Sequence, residues 1–143
     1  MKTYPWVETV QRMRNWGYGT MSTPRIMVIE DDRELCECLL EILCLEGFDV
    51  VGVHQSNSAF AEVSRFQPDL ILCDYPLRYL KSDELVRQVR AAPHTASIPI
   101  VVFSAHSDRR DIRLFTDLGA NAYVLKPFDI RELLGLIASY LSQ

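Results

Sequence analysis

No apolar stretch in this 143-residue chain approaches the ~20 residues needed to cross a bilayer. The first residues, MKTYPWVETVQRMRNWGYG, carry charges throughout and lack the apolar centre of a secretory signal, so a cytoplasmic protein with no membrane association is expected. Positive charge is not in excess: 15 Lys and Arg stand against 19 Asp and Glu, a net charge of −4. Without a broad basic surface to track phosphate backbones, direct nucleic-acid binding is not expected. Cysteine is sparse. Cys36, Cys38 and Cys44 fall in a helical pattern and Cys73 in an apolar run. On a helix Cys36 and Cys38 point about 200° apart, too far round to chelate one metal between them, so reduced thiols are expected. There is no internal repeat and no low-complexity tract.

What is present is alternation. Short continuous apolar runs at 26–29, 50–53, 70–73, 100–103 and 122–125 are rich in β-branched and aromatic residues, the pattern of strands buried on both faces. Amphipathic stretches separate them. Leu35, Leu39, Ile42 and Leu43 line the first predicted helix, which stops at Gly47 in a left-handed cap. Phe60 and Val63 mark a second that ends before Pro68, and Leu85, Val86 and Val89 a third that ends by Pro93. Ile112, Phe115 and Leu118 mark a fourth, capped by Ser107 or Asp108 and stopped at Gly119. Asp129 caps a fifth, running through Leu133, Leu134, Ile137 and Leu141. Five strands alternating with five helices predict an α/β fold: a doubly wound five-stranded parallel sheet in the order 2-1-3-4-5, helices on both faces, flavodoxin-like.

Residues 1–24 stand outside this alternation. They read as an N-terminal extension, either a short docked helix from Pro5 to about Trp16 or sequence upstream of a natural start at Met21. The folded unit is expected over 25–143.

In such a sheet, ligands bind beyond the carboxyl ends of the strands, where the strand order reverses. The residues there are Glu30, Asp31 and Asp32 after the first run, Asp74 after the third, Ser104 and Ala105 after the fourth, and Lys126 and Pro127 after the fifth. Clustered carboxylates persist near neutrality only when a cation neutralises them. Mg²⁺ suits a few carboxylates, a carbonyl and water, while Lys126 offers a fixed ammonium and Ser104 a hydroxyl. A phosphoryl group on Asp74 would meet metal, ammonium and hydroxyl together, which is what phosphoryl transfer requires. Taken singly, each residue has a duller reading: an acidic loop, a helix cap at Asp32, a turn at Asp74–Pro76 or Lys126–Pro127. Their coincidence at one sheet edge favours the functional one.

With Val28-Ile29-Glu30-Asp31-Asp32, Asp74, Ser104-Ala105 and Tyr123-Val124-Leu125-Lys126-Pro127-Phe128 in this order, residues from about Arg25 to Leu141 resemble the receiver domain of two-component response regulators. The resemblance implies that Asp74 accepts phosphate from a sensor histidine kinase or histidine phosphotransfer protein. Mg²⁺ would be held by Glu30, Asp31, Asp74 and the backbone carbonyl of Pro76. Ser104 and Lys126 would contact the phosphoryl oxygens, and Tyr123 would follow Ser104 as the switch, biasing the face of the fourth helix, fifth strand and fifth helix toward an unknown downstream protein target. A homodimer would form through that face. The chain would be a signalling domain, catalysing only its own phosphorylation and dephosphorylation. The resemblance further implies a cis Lys126–Pro127 bond.

Many members read Asp-x-x-Met/Leu-Pro-x-x-Asp-Gly after the acceptor. Here Arg78 stands for the proline and Lys81-Ser82 for Asp-Gly, so Pro76 and His106 are the candidates to set phosphate lifetime. His54 and His94 read as ordinary surface histidines. The alternative is a pseudo-receiver, an interaction module without phosphorylation. An aspartyl-nucleophile phosphatase ranks last, since Pro76 occupies the place of its second acid.

Overall fold

The computed structural model describes residues 23–54, 59–78 and 81–142. The extension expected at 1–24 lies outside them except for Thr23 and Pro24. Five strands, β1 (Arg25–Ile29), β2 (Asp49–Val53), β3 (Leu70–Tyr75), β4 (Ile100–Ser104) and β5 (Ala122–Leu125), form one sheet in the order β2-β1-β3-β4-β5. Every neighbouring pair is parallel, as predicted. Helices α1 (Arg33–Leu45), α2 (Ala59–Phe66), α3 (Ser82–Ala91), α4 (Arg109–Leu118) and α5 (Ile130–Leu141) fill the crossovers.

Alternation along the strands divides the apolar residues between two cores. Ile26, Val28, Leu70, Leu72, Val101 and Phe103 face α1 and α5, while Met27, Ile29, Ile71, Cys73, Ile100 and Val102 face α2, α3 and α4. All twelve strand residues are essentially buried. Burial on this scale is the main stabilising term, at roughly 1.5–3 kcal/mol for each large side chain. On one face α1 lies so close to β2 that a Cβ on Gly52 would stand 2.8 Å from Leu40 Cδ1 and 2.9 Å from Cys36 Sγ.

Helix ends follow the sequence closely. Asp32 caps α1 by accepting from the N–H groups of Glu34 and Leu35, and Gly47 closes it at φ 97°. Asp108, not Ser107, caps α4, and Gly119 ends it at φ 104°. Asp129 caps α5. Two boundaries differ from expectation. Asp74 and Ser104 lie inside their strands, because the ladder pairs Asp74 with Phe103 and Tyr75 with Ser104. The Lys126–Pro127 bond is cis as expected, and Tyr75–Pro76 is cis as well.

Candidate functional site

The carboxyl ends of β1, β3, β4 and β5 bring five of the singled-out side chains to one edge. Glu30 and Asp74 are almost fully buried, at 1% and 5% exposure, and Ser104 is buried completely. Asp31 and Lys126 are half-buried. Carboxylate oxygens of Glu30, Asp31 and Asp74 all lie within 4.8 Å of one another. Lys126 reaches in from the far side, its Nζ donating to Asp74 Oδ1 at 2.7 Å and to Glu30 Oε2 at 3.4 Å.

Three acids and one ammonium leave the site short of positive charge, and the titration behaviour reflects it. Burial raises the Glu30 carboxyl to about 7; the Asp32 N–H opposes this and the Asp74 charge adds to it. Burial works against the Lys126 ammonium, yet the hydrogen bond and charge of Asp74, with Glu30, hold its pKa above the ordinary lysine value. Hard oxygen donors packed this closely, with one acid driven toward protonation, form a donor set that fits a divalent cation such as Mg²⁺.

The loops around the acids are fixed by bonds the sequence reading missed. The backbone N–H of Arg78 donates to Asp31 Oδ2 at 2.7 Å, drawing the β3–α3 loop over the site. The buried Ser82 hydroxyl donates to the Asp74 carbonyl at 2.8 Å, anchoring the start of α3 to the strand end. Ser82 was visible only as a departure from the receiver pattern. Such a departure, at the first residue of a helix beside Asp74, is a signal that could have found it.

On the β4 side, Ser104 Oγ accepts from the His106 N–H at 2.9 Å, and the Tyr123 hydroxyl donates to the His106 carbonyl at 2.8 Å. His106, singled out apart from the Ser104–Tyr123 pair, is thus joined to both. His94 meets Ser64 Oγ at 3.0 Å on the surface, away from this edge. His54 is half-exposed, but its Nδ1 is buried without a hydrogen-bond partner among the described residues, so it is not a plain surface histidine. Among the described residues no helix is long and apolar enough to cross a membrane.

Residues 26–138 match the response regulator receiver domain family. The chain is 35% identical over 117 residues to the DNA-binding response regulator MtrA of Mycolicibacterium smegmatis, covering 82% of this chain and 50% of that protein. It is 32% identical over 116 residues to the sensory transduction protein RegX3 of the same species, covering 81% and 50%. Its fold superposes on the BeF3-activated receiver domain of Klebsiella pneumoniae RstA with a TM-score of 0.77 and 28% identity, covering 83% of this chain and 99% of that one. The chain spans about half the length of the curated relatives it matches. The expectation against nucleic acid is not supported by these relatives: it was drawn from the charge of 143 residues, and one relative is a DNA-binding regulator of which the match covers only 50%. Nor do they support the pseudo-receiver alternative. With an acid cluster, a lysine and a serine at the switch point of a 2-1-3-4-5 sheet, and with this match over residues 26–138, the chain belongs to the response regulator receiver domain family of two-component signal transduction.

Proposed function

We propose that Asp74 is the phosphoacceptor of a two-component phosphorelay. The observation that carries this reading is the 2.7 Å contact between Lys126 Nζ and Asp74 Oδ1 beside the carboxylates of Glu30 and Asp31. In the reaction, an Asp74 carboxylate oxygen forms a bond to phosphorus as the bond from phosphorus to a histidine nitrogen breaks, and the freed imidazole takes a proton from solvent. Glu30, Asp31, Asp74 and the Pro76 carbonyl would hold Mg²⁺, which when bound supplies charge neutralisation to the phosphoryl oxygens. Lys126 holds the acceptor oxygen in place and offers its ammonium to a phosphoryl oxygen. Ser104 would give up its bond from His106 to donate to another. The donor is a sensor histidine kinase or histidine phosphotransfer protein.

Phosphorylation adds about −1.5 to −2 charge and three acceptor oxygens. Ser104 and Tyr123 would move in response and alter the face of α4, β5 and α5, where Leu125 is 44% exposed, for a partner protein or a second copy. Control of DNA binding, carried over from MtrA, would act through that face. Pro76 and His106 would set the phosphate lifetime. The receiver is assigned to 25–143 and an extension to 1–24, with the family match over 26–138 in support.

The test is incubation with a phosphoramidate and Mg²⁺, followed by intact-mass measurement. The expected result is gain of one phosphoryl group, lost in Asp74→Asn. An unmodified wild-type chain, or equal labelling of the variant, ends this reading.

A further inference from the structure

Tyr75, next to the acceptor, is linked to α4 by a set of contacts that the roles above do not use. Its hydroxyl donates to Asp111 Oδ1 at 3.0 Å, across 36 positions of sequence. The second oxygen of the same carboxylate lies 3.6 Å from His106 Nδ1. The Tyr75 ring stands edge-on to His106, with centroids 5.6 Å apart, and to Phe115, 4.8 Å apart. Asp111 and Phe115 are four residues apart on α4, so one tyrosine grips two successive turns of one helix face.

His106 connects this grip to the switch. Its N–H binds Ser104 Oγ, its carbonyl receives the Tyr123 hydroxyl, and its ring lies against Tyr75 and Asp111. Turning Ser104 toward Asp74 would carry its Oγ away from the His106 N–H from which it accepts. That release would shift the ring that packs beside the Tyr75–Asp111 bond.

We propose that Tyr75 is a positioning residue that latches α4 to the acceptor strand through Asp111, with His106, whose carbonyl also accepts from the Tyr123 hydroxyl, transmitting the movement of Ser104 to that latch. The proposal rests on the phosphoacceptor reading for its trigger, but the latch itself exists without phosphate. Tyr75→Phe removes only the hydroxyl and leaves the packing on Phe115, so the fold is retained. Asp111→Asn provides a second, independent variant.

The test is hydrogen–deuterium exchange over residues 109–118 in the unphosphorylated full chain, with α1 as the internal reference. Each single variant is expected to speed exchange in α4 about fivefold or more while α1 is unchanged, since one hydrogen bond to a charged group is lost. The double variant is expected to match the larger single effect, because both remove the same bond. Unchanged α4 exchange in Tyr75→Phe, or single effects that simply add, overturns the latch. Treatment with a phosphoramidate and Mg²⁺ is expected to bring wild-type α4 toward the exchange of Tyr75→Phe; a phosphorylated chain with unaltered α4 overturns its coupling to the switch. Failure to phosphorylate Asp74 would instead remove the phosphoacceptor reading, and the unphosphorylated measurements would still decide the latch.

Discussion

The Arg78 N–H and the Asp31 carboxylate, 47 positions apart, meet across 2.7 Å, so the backbone of one loop orients an acid of another. The loop after β3 therefore depends on a side chain after β1. Asp31→Ala should speed deuterium exchange at the Arg78 amide about fivefold, the equivalent of roughly 1 kcal/mol for one partly solvated bond. Asp31→Asn, which keeps an acceptor oxygen, should change it less. An Arg78 amide indifferent to both would show that the bond does not order the loop.

Lys126 competes with any cation for the same oxygens. Replacing it with Met removes a positive charge from the site and should tighten Mg²⁺ binding severalfold, while leaving Asp74 without its partner for phosphoryl oxygens. Titration of the variant by calorimetry reads the first effect, and phosphoramidate labelling the second. Weaker Mg²⁺ binding in Lys126→Met would mean that the lysine organises the acids more than it repels the metal.

Glu30 gives the metal-free protein a defined pH response. Its carboxyl is raised from 4.5 to about 7 by burial, so the folded chain holds that proton more tightly than the unfolded one does. The stability this contributes is complete below about 4.5 and is lost as pH rises through about 7. Without metal, the melting temperature should fall across this window, and the Glu30→Gln variant should lose this part of the decline. Added Mg²⁺ should offset the loss at the upper end by occupying the site as the proton leaves. Parallel melting curves for wild type and variant would contradict the assignment.

The cysteines divide by burial. Cys36 is pushed up to about 11 and Cys73 to about 12, both by desolvation first, whereas Cys38 and Cys44 are exposed. A native alkylation experiment at mildly alkaline pH should modify Cys38 and Cys44 and spare the other two until the chain is unfolded. Peptide mapping distinguishes the four sites.

The strand order and the membership of the acid pocket were legible because buried parallel strands write continuous apolar runs, and the residues closing those runs must gather at one edge. Asp32, Gly47, Gly119 and Asp129 were legible for a similar reason, since caps depend on local backbone chemistry. Asp74 and Ser104 were read as lying beyond their strands because a polar side chain ending an apolar run resembles the start of a loop; only the pairing with Phe103 and Tyr75 keeps them in the ladder. The bonds from Arg78 to Asp31 and from Tyr75 to Asp111 left no trace in the sequence. Each joins polar groups far apart in the chain, and which of several polar neighbours meet depends on the path of the loops, not on periodicity.

The Lys126–Glu30 pair closes across 96 positions, from the first strand to the end of the last. A ribosome must therefore release nearly the whole domain before the acids acquire their counter-charge. A chain truncated ahead of β5 could carry Asp74 and its neighbouring carboxylates, yet it would lack the Lys126 ammonium that holds an Asp74 oxygen. The charge balance of the acid cluster thus arrives only with completion of the sheet.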